Sequence, residues 1–139
     1  ELMKERKIDA YLVPTDDFHA SEYVGDYFKC RKYITGFTGS AGTAVIMQDM
    51  AGLWTDGRYF LQAAEQLEGS TIQLFKMGEP EVPTVHQFLA DKLEKATLGT
   101  IEDGRMTKDL ALITTLKDVE VLNSEQFIKA IREKLTSLM

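Results

Sequence analysis

Asp56 and Arg58 place a carboxylate and a guanidinium two residues apart in Leu53-Trp54-Thr55-Asp56-Gly57-Arg58-Tyr59-Phe60, where an apolar run breaks at a turn dipeptide. A fixed guanidinium at such a corner recognises carboxylates through its planar fork of donors. The same pair also has a local use, with Asp56 capping the next helix and Arg58 pairing with it or with a neighbouring carboxylate. Asp17 and His19, also two apart, can share a loop as metal-ligating groups, or can simply cap a helix and form an internal hydrogen bond. Ser40 lies in Gly39-Ser40-Ala41-Gly42, which invites comparison with a nucleophile elbow. That motif needs glycine two residues before the serine, and Thr38 stands there.

Other chemistries find no support in the spacing. No GxGxxG follows the first apolar run, and no lysine follows the loop glycines as a phosphate-binding loop requires. Gly36, Gly39 and Gly42 read instead as positions of positive φ or close backbone approach. The two histidines, His19 and His86, and the single Cys30 are too scattered to form a ligand set. A dinuclear hydrolase centre needs several carboxylates and a histidine converging from separate strands, which this pattern does not offer.

The elements that must position these residues alternate between strand and helix. Glu1 to Lys7 reads as a charged helical end, and Ile8 to Pro14 as a strand stopped by proline. A short helix is expected from His19 to Val24, capped by Thr15, Asp16 or Asp17. From Gly25 to Gly42 neither strand nor helix period holds, which predicts an ordered loop of a length that usually has a function, with Tyr33 and Phe37 forming an exposed patch only if it loosens. Thr43 to Met47 and Ala51 to Thr55 form a hairpin around Gln48-Asp49-Met50, followed by a helix from Arg58 to Leu67 with a stop at Gly69. Trp54 is expected in the core. Thr71 to Met77 alternates as a strand, and Thr84 caps a helix from Val85 to about Lys95. Then come a short strand over Leu98 to Ile101, a helix from Thr107 or Asp109 to Leu116, a strand at Val119 to Leu122, and a helix capped by Ser124 running to Leu138. The pattern predicts one α/β domain over residues 1–139, with helices on both faces of a mixed sheet.

Composition narrows the partners. With 139 residues, 44% of them hydrophobic, the chain is long enough to bury a core. A formal net charge of −6 argues against nucleic acid and against a basic membrane-surface helix. No segment is long and apolar enough for a transmembrane helix, and one cysteine makes no internal disulfide, so the expected compartment is cytoplasmic. The start inside a running helix suggests a piece of a longer protein.

Four segments carry a resemblance: Tyr11-Leu12-Val13-Pro14, Asp17-Phe18-His19-Ala20-Ser21-Glu22-Tyr23, Tyr33 through Ala44 with its Gly-Ser-Ala-Gly-Thr core, and Leu53 through Ala63 with Trp-Thr-Asp-Gly-Arg-Tyr. In this order they resemble the N-terminal domain of Xaa-Pro aminopeptidases, most closely the three-domain cytosolic branch. Creatinase and prolidase resemble it more distantly. The resemblance implies a three-layer α/β sandwich with a mixed β-sheet, of ribonuclease-H-like type but without ribonuclease activity. It also implies a separate C-terminal pita-bread domain that binds two divalent ions, commonly manganese, through two aspartates, two glutamates and a histidine. That domain removes an N-terminal residue from peptides with proline second.

None of those ligand motifs occurs here, so the expectation is a domain with no catalytic residue, no metal and no cofactor of its own. The partners implied are its own catalytic domain, a peptide substrate and a second subunit in a homodimer. Asp17, His19, Phe37, Asp56 and Arg58 become the expected cleft-facing or interface set, with Arg58 offering a cation to a carboxylate and Phe37 an apolar wall. The alternative is a peptide- or protein-binding module, as in histone-chaperone relatives whose pita-bread domain has lost its metal ligands.

Overall fold

The computed structural model describes residues 1–138, and the chain divides into two compact units, Glu1–His86 and a second from Gln87 onward. The first unit opens with the short helix α1 (Leu2–Glu5) and is built on a four-stranded sheet in the order β1-β2-β3-β4, with β1 Ala10–Pro14, β2 Thr43–Met47, β3 Ala51–Thr55 and β4 Ile72–Lys76. β1 and β2 pair antiparallel, as do β2 and β3, whereas β3 and β4 run parallel. The sheet is therefore mixed, as the alternation predicted. The hairpin between Met47 and Ala51 supplies one antiparallel step, and α3 (Phe60–Gln66) provides the crossover that a parallel pair requires.

The burial of each strand follows from its place in the ladder. β2 and β3 are central, and Ala44, Val45, Met47, Leu53, Trp54 and Thr55 are all buried. Near-continuous burial means that both faces of these strands are covered. β1 lies at an edge, is largely exposed, and ends in Pro14, a residue tolerated where no further ladder bond is needed. Phe37, Leu53, Ala63 and Leu67 form the buried cluster under α3, with Tyr59, Ile72 and Leu74 packed against it. On β3, Trp54 stacks on its register partner Phe75 of β4 with ring centroids 3.9 Å apart. The Trp54 indole N–H donates to the Pro83 carbonyl at 2.9 Å, so its one polar atom is also satisfied.

Two local expectations in this unit change. Residues 19–24 form no helix: Ala20 takes a positive φ of 53°, and Asp17 instead organises a turn. Within the stretch expected to be a loop, a 3₁₀ turn (Asp26–Phe28) leads into α2 (Cys30–Thr35), which closes on Gly36 at φ 73°. The helix escaped sequence reading because its buried residues are Arg31 and Thr35, so the stripe at helical spacing is polar.

The second unit contains most of α4 (Val85–Glu102), then β5 (Arg105–Thr107), α5 (Lys108–Ala111), β6 (Glu120–Leu122) and α6 (Ser124–Ser137). β5 and β6 pair parallel as a separate two-stranded sheet. α4 runs through Leu98 to Ile101, where a strand was expected. Ala96 and Thr100 are both buried one turn apart, and the Thr100 hydroxyl bonds back to the Ala96 carbonyl at 2.7 Å, which overrides the β-branched local signal. Gly99 admits the Lys134 stem: a Cβ there would meet Lys134 Cε at 2.8 Å. Lys134 then pairs with Asp103 at 2.9 Å.

The cap of α6 is Asn123 rather than Ser124. Asn123 Oδ1 accepts the Gln126 backbone N–H at 2.9 Å and Gln126 Oε1 accepts the Asn123 N–H at 3.0 Å, a complete capping box. Asn123→Ala is expected to lower stability by about 1 kcal/mol. Urea unfolding followed by far-ultraviolet circular dichroism checks this, with Ser124→Ala as the near-neutral comparison.

Candidate functional site

The corner after β3 is fixed from below before any exposed group is added. The buried Thr55 hydroxyl donates to the Ala41 carbonyl at 2.7 Å, and the Thr55 carbonyl accepts the Met77 N–H at 2.9 Å. Asp56 then caps a 3₁₀ turn (Gly57–Tyr59), accepting the Arg58 N–H at 3.1 Å. The Arg58 side chain folds back onto the same carboxylate, with Nε to Oδ1 at 2.9 Å and Nη2 to Oδ2 at 2.8 Å. The local alternative raised by the sequence is therefore present: Asp56 both caps and pairs. The bond from Arg58 holds the Asp56 carboxyl below its ordinary value, and Asp56 in turn raises Arg58. A depressed carboxyl keeps this fork formed above its ordinary pKa of 3.8 and loses it as pH falls further.

The fork leaves one edge of Arg58 open. Nε and one Nη2 proton serve Asp56, while Nη1 and the other Nη2 proton make no hydrogen bond among the described residues. The Arg58 side chain is 70% exposed, so that edge faces water. Its guanidinium carbon lies 5.3 Å from the centre of the Tyr59 ring, and the Tyr59 hydroxyl is 2.6 Å from Ser40 Oγ, a contact that lowers the phenol's pKa. Ser40 thus partners a tyrosine and not a histidine, which removes it further from nucleophile chemistry.

Asp17 and His19 share one turn, held through the backbone. Asp17 Oδ1 accepts the backbone N–H groups of His19 at 2.9 Å and Ser21 at 3.1 Å, and the first of these is the main reason that its carboxyl is depressed. No hydrogen bond or ion pair among the described residues joins this turn to the Asp56–Arg58 fork. Phe37 is a correction: it is fully buried, edge-on to Tyr59 with centroids 5.9 Å apart, and belongs to the core cluster. It supplies no surface wall, because the Gly36 reversal turns the chain inward. Tyr33, on α2, is 92% exposed.

Sequence reasoning missed Arg31, which is 3% exposed. Its Nε donates to Thr15 Oγ1 at 2.6 Å, its Nη1 to the Phe37 carbonyl at 2.8 Å, and its Nη2 to the Gly39 carbonyl. Thr15 is itself tied to the Gly42 carbonyl by both its N–H and its hydroxyl. Arg31 therefore clamps the end of β1 to the loop that carries Ser40. Only the dense glycines of that loop hinted at such a clamp, by marking where backbone carbonyls come close.

Among the described residues no three His, Cys, Asp or Glu side chains converge as a metal site would need. Among the described residues no helix is long and apolar enough to cross a membrane.

The sequence description of the Creatinase/Prolidase N-terminal domain matches residues 1–134. The chain belongs to that family. This creatinase-type domain is 56% identical over 86 residues to Aminopeptidase P2 of Arabidopsis thaliana, covering 62% of the chain and 12% of that protein. It is 43% identical over 120 residues to a probable Xaa-Pro aminopeptidase P of Coccidioides posadasii, covering 85% of the chain and 20% of the relative. Among solved structures it resembles the X-prolyl aminopeptidase of Caenorhabditis elegans, described as a cytosolic enzyme with a di-nuclear active site. That match has a TM-score of 0.57 at 44% identity and covers 60% of this chain and 14% of that one. The creatinase-type domain thus spans about a fifth or less of the length of these relatives.

Proposed function

We propose that this chain is the N-terminal, non-catalytic domain of a metal-dependent Xaa-Pro aminopeptidase, with residues 1–139 acting as one domain beside a catalytic pita-bread domain. The observation that carries the reading is the similarity to proteins named as Xaa-Pro aminopeptidases, which is strong but confined to a small part of their length. In the whole protein the hydrolysis of peptides with proline second belongs to the catalytic domain, with two divalent ions, in our reading manganese. A homodimer and a cytoplasmic location complete the proposal. The relatives reported above are aminopeptidases, and the binding-module alternative gains no support from them.

Within that reading this domain shapes the entrance to the active site. Arg58 is the residue suited to meet the substrate, because one edge of its guanidinium is oriented by Asp56 while the other remains open to water. A planar cation oriented in advance spends less side-chain freedom on binding a carboxylate than an unrestrained lysine does. Asp56 is then a positioning residue, and the Asp17–His19 turn is a candidate interface. Phe37 acts only from beneath, as packing for Tyr59.

The test is steady-state kinetics of the full-length enzyme on Xaa-Pro peptides with added manganese. Arg58→Ala is expected to lower kcat/KM by about tenfold, the loss of one charge-assisted contact. Asp56→Asn, which keeps the cap acceptor but weakens the fork, gives a smaller loss. Unchanged kinetics in Arg58→Ala with normal folding would leave Arg58 a structural residue.

A further inference from the structure

A cavity of about 310 Å³ opens in the first unit between the end of β1, the 22–32 segment and the Gly39-Ser40 loop. Its electrostatics run against those of the protein as a whole. The chain carries a net charge of −6, yet Lys29, Arg31 and Lys32 all line this space and Glu22 is the one carboxylate that does. Lys29 is bonded to Asp26 at 2.6 Å, an exposed pair, whereas Lys32 makes no ion pair among the described residues.

Arg31 is the unusual member. Its guanidinium is almost wholly buried, and all its hydrogen-bond acceptors are neutral: a hydroxyl and two carbonyls. Arg58 and Arg105, by contrast, each hold a carboxylate, and their pKa values are raised by it. Burial alone acts on Arg31 and pushes its pKa down. Buried charges in folded proteins are as a rule paired, because removing a cation from water without a counter-charge is costly. Three of its five N–H groups are engaged, which leaves two Nη protons without an acceptor among the described residues.

We infer that this cavity is a binding site for a small organic carboxylate with an apolar body. Arg31 supplies the desolvated cation, Lys32 adds charge at the rim, and Tyr23, Val24 and Phe28 provide an apolar wall. The volume is at the small end of ligand pockets, which run from about 300 Å³ upward. The wall disfavours a bare inorganic anion, which gains nothing from aromatic contact, and the buried guanidinium disfavours a neutral ligand. The site shares no residue with the Asp56–Arg58 fork, so it stands independently of the peptidase proposal.

Amide chemical-shift titration of the ¹⁵N-labelled 139-residue chain tests it, with sodium 3-phenylpropionate, its alcohol 3-phenylpropan-1-ol, and sodium sulfate in parallel. Phenylpropionate is expected to give saturable shifts at residues 28–32 and 38–40 and at the Arg31 Nε–H, with a Kd of about 1–5 mM, as suits one buried charge contact and a small apolar body. The alcohol is expected to bind about tenfold more weakly or worse for want of the charge-assisted bond. Lys32→Glu reverses an exposed rim charge without touching the clamp and is expected to weaken phenylpropionate about fivefold. Equal binding of acid and alcohol, sulfate matching phenylpropionate, an unaffected Lys32→Glu, shifts that map elsewhere, or no saturable shift would each overturn the assignment.

Discussion

Arg31→Met lowers the free energy of unfolding by about 3 kcal/mol, the net of lost charged hydrogen bonds and a recovered desolvation cost. The substitution removes the donors to Thr15, to the Phe37 carbonyl and to the Gly39 carbonyl at once. Each buried acceptor left without a donor costs about 1–3 kcal/mol. Methionine fills part of the volume, so a void is not the main term. Removing a buried cation that has no carboxylate returns some stability, which is why the expected figure is smaller than the sum of three bonds. The Arg31 guanidinium also lies 4.7 Å from the centre of the Phe37 ring, and that contact is lost as well. Urea unfolding by circular dichroism reads the result. A loss below about 1 kcal/mol would mean that desolvation cancels the clamp.

Gly39→Ala is the second large effect, about 2–3 kcal/mol of destabilisation from overpacking. A Cβ at Gly39 would sit 2.3 Å from Phe37 Cζ and 2.8 Å from Tyr59 Cδ1. Both rings belong to or pack against the buried cluster, so neither moves without disturbing Leu53 and Ala63. Strain at Tyr59 also reaches the surface, since Tyr59 bonds Ser40 and lies under Arg58. Gly25→Ala is the control: a Cβ there meets nothing within 4 Å, and the cost is expected below about 0.5 kcal/mol. Equal stabilities for the two variants would show that the rings under Gly39 yield freely.

The hairpin, the crossover to β4 and the α6 helix were legible because two apolar runs flank the short Gln48-Asp49-Met50 turn, α3 keeps a helical period up to the stop at Gly69, and a polar capping side chain stands at the start of α6. Thr55-Asp56-Gly57 announced the corner in the same way, and the Asp56–Arg58 pair fell where the turn chemistry put it. The polar face of α2 was not legible, because a period read in apolar residues cannot find a helix that buries Arg31 and Thr35. Phe37 was misplaced for a related reason. An aromatic among glycines looks like a loop tip, but the αL turn at Gly36 and the bond from Arg31 to its carbonyl fold it beneath the sheet's loop. Leu98 to Ile101 shows the opposite failure, where a short β-branched signal lost to the burial of Ala96 and Thr100 on one face of a longer helix.

The stacked pair of Trp54 and Phe75 gives the chain a built-in optical label. Trp54 is its single tryptophan, and all five tyrosines, Tyr11, Tyr23, Tyr27, Tyr33 and Tyr59, lie with it in the first unit. Residues 87 onward carry only phenylalanine as aromatic chromophores, Phe88 and Phe127. Intrinsic emission therefore watches one half of the polypeptide and is blind to the other, while backbone ellipticity sees both. Coincident melting by the two signals means that the halves come apart together; an ellipticity change that leaves emission untouched belongs to the tryptophan-free half alone.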